Sequence, residues 1–81
     1  MTLEVHDKFR VIRSGVEYEF EAAEEGGYVV SVPAYGGAGS QGETFEEALE
    51  NAEDALKEAL SAAKELGLEI PSSLEHIAAA N

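Results

Sequence analysis

Carboxylates are the one side-chain type abundant enough to suggest chemistry. The chain carries 17 Asp and Glu against five Lys and Arg. Glu17, Glu19 and Glu21 fall at every second position, so an extended backbone places all three on one face. Acids gathered on neighbouring elements can hold Mg²⁺ for nuclease chemistry. Here Val16, Tyr18, Phe20 and Ala22 interleave with them, the period-2 pattern of a strand with one face on a core and one in water. The only aspartates, Asp7 and Asp54, lie far apart in sequence. A solvated sheet face therefore accounts for the three glutamates, and no catalytic or metal site is expected there.

The other reactive types are placed no better. His6 and His76 lie near opposite ends and form no H-x-x-x-H or H-E-x-x-H spacing. Both are expected to be exposed to solvent. The serines lack a nucleophile-elbow context, and there is no cysteine to act as nucleophile or thiolate ligand. Gly36, Gly37 and Gly39 are followed by no Walker lysine and miss the dinucleotide spacing, so they predict a turn. The chain is expected to be no enzyme and to need no cofactor.

The elements that must position these residues can be read in order. Phe9 and Val11 alternate with polar neighbours, suggesting a short strand, although Met1–Arg13 as a whole could be strand, helix or arm. Ser14-Gly15 marks a turn. Val16–Ala22 is a strand, Glu24-Glu25-Gly26-Gly27 a turn, and Tyr28–Val32 the returning strand of a hairpin. Pro33 ends its ladder bonding. A loop and a short strand around Ala38–Gln41 follow. A capped helix is then predicted from Thr44 to Leu66. Thr44 and Glu47 form a T-x-x-E capping box, in which Glu47 should reach back to the Thr44 N–H. Phe45, Ala48, Leu49, Ala52, Leu56, Ala59, Leu60 and Ala63 make one apolar stripe at helical period, and Gly67 is placed to close the helix. Leu68-Glu69-Ile70 suggests a short edge strand. Ser72–Glu75 repeats a cap pattern before a last short helix carrying Leu74, Ile77 and Ala78.

With 81 residues this is one domain, 1–81. Its formal net charge of −12 opposes nucleic-acid binding, which rests on basic groups neutralising phosphates. It favours solubility and steering toward a basic partner. Three of the five basic residues, Lys8, Arg10 and Arg13, are concentrated near the N-terminus. No stretch approaches the roughly 20 apolar residues of a membrane span, and the first residues have no signal-peptide pattern. The lack of cysteine fits a reducing, cytoplasmic setting.

The block Gly26-Gly27-Tyr28-Val29-Val30-Ser31-Val32-Pro33, running into Ser40-Gln41-Gly42-Glu43-Thr44-Phe45-Glu46-Glu47-Ala48-Leu49-Glu50-Asn51-Ala52, resembles the N-terminal domain of HicB antitoxins. The family pattern is approximately G-G-Y-x-V-x-V-P-D-L-P-G-C-x-S-Q-G-E-T-x-E-E-A-L-x-N-A. The likeness runs from about Val16 to Pro71. Where the family has D-L-P-G-C, this chain has Ala34-Tyr35-Gly36-Gly37-Ala38.

The resemblance implies an α+β fold: a small three- to four-stranded, mainly antiparallel sheet with one long helix on one face. The family's form is a partly degraded ribonuclease H-like ββ(β)αβ domain. It implies a protein-binding module that neutralises a small basic HicA-type mRNA-cleaving toxin by covering its active surface. It also implies self-association as a dimer or tetramer. Many members carry a C-terminal DNA-binding domain; none is expected here. The partner-binding residues expected are Glu17, Glu19, Glu21, Glu24 and Glu25. The alternative is a solitary oligomeric structural or regulatory protein of the same fold with no toxin.

Overall fold

Ser14 and Gly15 both have positive φ, 53° and 76°. That is the backbone a two-residue hairpin turn of type I′ demands, because its twist matches the strands it joins. It connects β1, Lys8–Arg13, to β2, Val16–Ala22, with Arg13 opposite Val16. The computed structural model describes residues 8–36 and 38–79. The conformation of residues 1–7, including His6 and Asp7, lies outside them.

A wider turn leads from β2 to β3, Tyr28–Val32. Within it the Ala23 N–H donates to the Gly27 carbonyl and the Gly26 N–H to that of Ala23. After a single 3-10 turn at Pro33–Tyr35, β4, Ala38–Gly42, completes the sheet. The order is β1-β2-β3-β4 and every pairing is antiparallel. The sheet is an uninterrupted meander, built entirely from local connections.

Helix α1, Phe45–Glu65, then crosses β3 and β4. Its stripe is the one the periodicity predicts: Ala48, Leu49, Ala52, Leu56, Leu60 and Ala63 are buried, with Phe45 and Ala59 partly so. Thr44 caps it by accepting the Glu47 N–H at 3.0 Å. The reciprocal bond differs from expectation. Glu47 Oε1 accepts from the N–H of Glu43, at 2.7 Å, rather than from that of Thr44. One residue further back is within reach of a flexible glutamate, and the bond ties the exit of β4 to the helix.

Gly42 permits this junction. A Cβ there would lie 2.4 Å from the Ala48 nitrogen and 2.7 Å from its Cα. Only a residue without a side chain lets the first turn of α1 lie so close to β4. At the other end Gly67, φ 73°, donates to the Lys64 carbonyl while the Leu68 N–H donates to that of Ala63. Those two bonds form a complete Schellman cap.

The edge strand expected at Leu68–Ile70 is not there; this segment is irregular. Leu68 spends its N–H on the helix cap, and Pro71 has none to give. Too little backbone remains for a ladder. Instead Ser72–Leu74 forms a 3-10 turn that runs into α2, Glu75–Ala79. Leu74 and Ala78 bury against the core with Ile77 beside them.

The core lies between the sheet and the helices. Phe20, Leu56, Leu60, Leu74, Val16, Val30 and Val32 are its largest fully buried side chains. Phe20 is central to its aromatic part. Its ring stacks on Phe45 at 4.8 Å and on Phe9 at 5.1 Å, and meets Tyr28 edge-on at 6.1 Å. Offset and edge-on rings of this kind add attraction beyond the area they bury.

Candidate partner-binding face

Cross-strand partners share a face, so the register sorts the sheet into two sides. Phe9, Phe20, Val30 and Ser40 form one row toward the helices. The intervening rows point the other way: Lys8–Glu21–Val29–Gln41, then Arg10–Glu19–Ser31–Gly39, then Ile12–Glu17. Among the described residues no helix packs on this second side.

Glu17, Glu19 and Glu21 thus share the open face, one in each of these three rows, as period 2 predicts. Glu24 and Glu25 do not join them; they lie in the β2–β3 turn, at the end of the sheet. The three strand glutamates are not a bare anionic stripe either. Arg10 lies across two of them, its Nη1 3.0 Å from Glu17 Oε2 and its Nε 4.0 Å from Glu19 Oε2. These groups are solvent-exposed, so each pair is worth at most about 1 kcal/mol. Their effect is on charge distribution: strand β1 sets Lys8 and Arg10 beside the row of β2 acids.

Apolar groups break up the same face. Ile12 is 74% exposed and Val29 47%. An isolated exposed aliphatic is unremarkable. Two on one uncovered sheet face, set among carboxylates and a guanidinium, give a surface that can bury apolar area and exchange ion pairs. Sequence reasoning missed Ile12 and Val29, although the strict alternation of β2 already implied which neighbours would share its outer side.

A cleft of about 360 Å³ opens where the β2–β3 turn meets the start of α1, lined by residues including Glu25, Tyr28, Gln41, Glu43 and Asn51. Asn51 Nδ2 donates to the Gln41 carbonyl across it, at 2.9 Å. The acids here come from turn and helix cap, and Glu47 is already engaged by the Glu43 N–H.

On the helix side, Arg13 Nε lies 3.2 Å from Glu53 Oε2. Tyr18 is buried close to that pair. Burial pushes its hydroxyl above the ordinary phenol range, Glu53 adds to the shift, and Arg13 opposes it. The effect holds Tyr18 neutral and concerns stability. Among the described residues no group of three His, Cys, Asp or Glu is placed to hold a metal ion. His76 is exposed, as expected, but it is not idle: its Nε2 meets the Ser14 carbonyl oxygen at 2.5 Å.

A meander sheet with one long capped helix on one side and an open acidic face on the other is the setting in which the S-Q-G-E-T block sits. The model of the family described as HicB_like antitoxin of bacterial toxin-antitoxin system matches residues 18–81. The chain belongs to the HicB-like antitoxin family. The match takes in β2 from Tyr18 on, the whole of α1 and the C-terminal helix, so the resemblance is borne out from Tyr18 to Pro71 and extended toward the C-terminus. No curated protein and no solved structure matches the chain. No helix among the described residues is long and apolar enough to cross a membrane.

Proposed function

We propose that this HicB-like chain neutralises a small basic HicA-type ribonuclease by binding over its RNA-cleaving surface through the open sheet face. The observation that carries the reading is the composition of that face. Glu17, Glu19 and Glu21 project from β2 onto that face beside exposed Ile12 and Val29, with Glu24 and Glu25 extending the negative charge around the hairpin end. A toxin that grips RNA must present Lys and Arg to phosphates. Carboxylates on a rigid sheet compete for the same groups, while aliphatic contacts supply burial that RNA cannot imitate. The net charge of −12 steers the encounter and deters nucleic acid from binding the antitoxin itself.

Arg10 has a place in this scheme. It lies over Glu17 and Glu19 in the free protein, so a partner cation must share or replace it. The proposal assigns the chain no catalytic step and no cofactor, and places it in the cytoplasm with its toxin.

The test uses the basic reading frame adjacent to this gene. Its product should bind the chain in calorimetry and lose RNA cleavage on doing so. Replacing Glu17, Glu19 and Glu21 by Gln together, which sets no new cation opposite Lys8 or Arg10, should greatly weaken the interaction while thermal unfolding stays close to wild type. Undiminished affinity in that variant would move the contact off the sheet face. A genome neighbourhood without any such frame would favour the solitary regulatory member, a reading supported by the departure of Ala34–Ala38 from the family's D-L-P-G-C.

A further inference from the structure

We propose that Arg10 is an internal competitor on the open face: its guanidinium occupies Glu17 and Glu19 in the free chain, so that positive charge alone gains little there and a partner must bring apolar contact as well. The inference rests on the open face being the partner surface, and adds which residue decides what that surface accepts.

The register places Arg10 where it can do this. It stands opposite Glu19, in the row between that of Val29 and that of Ile12. From there its side chain reaches diagonally. Nη1 lies 3.0 Å from Glu17 Oε2, within hydrogen-bond distance, while Nε is 4.0 Å from Glu19 Oε2. Both nitrogens belong to one planar fork, so a single side chain answers two carboxylates. Glu17 and Glu19 are half-buried, whereas Glu21 is exposed.

The other two cations of β1 have different positions. Lys8 faces Glu21 across the strands, but among the described residues no ion pair joins the two. Arg13 pairs with Glu53, on α1. Of the three, only Arg10 is ion-paired to carboxylates of the open face.

Competition follows from this geometry. A cation arriving at Glu17 and Glu19 forms an ion pair only by loosening one, and exposed pairs are worth little to begin with. A flexible polycation brings nothing else, so the exchange leaves it almost no net attraction. A folded partner also covers Ile12, 74% exposed, and Val29, 47% exposed, which lie in the rows on either side of Arg10. Arg10 does not compete for that burial. The distinction matters for a chain of net charge −12, whose field draws in cations of every kind.

The test is Arg10→Gln in the full chain, with two ligands: an octalysine peptide, and the product of the adjacent basic reading frame. In calorimetry at about 10 mM salt, where charges act over about 30 Å, the variant should bind the peptide about two- to tenfold more tightly than wild type. The gain should vanish toward about 1 M salt, where the range is about 3 Å. Thermal unfolding should stay close to wild type. Lys57→Gln removes the same charge from the exposed side of α1 and should change peptide binding little. Replacing Glu17 and Glu19 by Gln in the Arg10→Gln chain should cancel the gain. Peptide binding unchanged or weaker in Arg10→Gln overturns the inference, as does an equal rise in Lys57→Gln. A gain with the peptide while the adjacent product binds neither chain leaves Arg10 as a competitor and sinks the toxin reading. An adjacent product that binds wild type, with no gain for either ligand in Arg10→Gln, keeps the toxin reading and sinks this one.

Discussion

The Nε2 of His76 meets the carbonyl oxygen of Ser14 at 2.5 Å, joining the last helix to the first hairpin across 62 positions of sequence. A carbonyl oxygen only accepts, so Nε2 carries the proton and the ring's tautomer is fixed by its partner. The bond holds α2 over the hairpin end of the core, where Leu74 and Ala78 are buried. His76→Ala should cost about 1 kcal/mol, the usual net worth of one such bond. Amide exchange should speed up in α2 and in the β1–β2 turn together. Faster exchange in α2 alone would mean that the bond does not couple the two.

Ser14 itself sits at φ 53°, a left-handed conformation that a residue with a Cβ adopts at a cost of roughly 1–2 kcal/mol. Asparagine tolerates this region better, and Asn-Gly is the favoured pair for the turn. Ser14→Asn keeps the carbonyl that His76 uses. It should raise stability by several tenths to about 1 kcal/mol in urea unfolding. No gain would indicate that the serine's strain is relieved elsewhere.

Gly42 stands at the tightest approach of helix to sheet. Gly42→Ala puts a methyl 2.4 Å from the Ala48 nitrogen, which backbone cannot yield cheaply. Overpacking of this kind costs about 1–3 kcal/mol, and the loss should appear as a lower urea midpoint. An unaffected midpoint would show that the β4–α1 junction shifts freely. Leu56→Ala, in the middle of the core, should cost about 2–5 kcal/mol by leaving a cavity.

Alkaline unfolding should report Tyr18. Burial first and Glu53 second raise its pKa in the folded chain, with Arg13 opposing. The unfolded phenol ionises first, near its ordinary value of about 10. The stability this group contributes is therefore complete below about pH 10 and is lost as pH rises through the higher folded value. Tyr18→Phe has no proton to lose, so its stability should fall less steeply above about pH 10 than that of wild type. Parallel curves would mean that Tyr18 does not contribute to the alkaline loss.

Much of the fold was legible in local pattern. The alternation of Val16–Ala22 fixed which side of β2 is wet, and Thr44, Glu47 and Gly67 marked both ends of α1. Leu68–Ile70 misled because three apolar-polar residues satisfy the strand pattern. Whether they pair depends on free backbone groups, and the helix cap had taken one. The site was legible by halves. Glu17, Glu19 and Glu21 share the open face, but the cations of β1 that lie beside them could not be assigned from spacing alone.

By itself, the sequence determined the family block, the capped helix, the hairpins and the excess of negative charge, because each depends on contacts only a few residues apart. Tertiary structure alone decided that Arg10 lies over Glu17 and Glu19, that His76 reaches Ser14, and that Asn51 binds the Gln41 carbonyl at the edge strand β4. Those relationships depend on where the meander and the helix place distant residues in space. No local period carries that information.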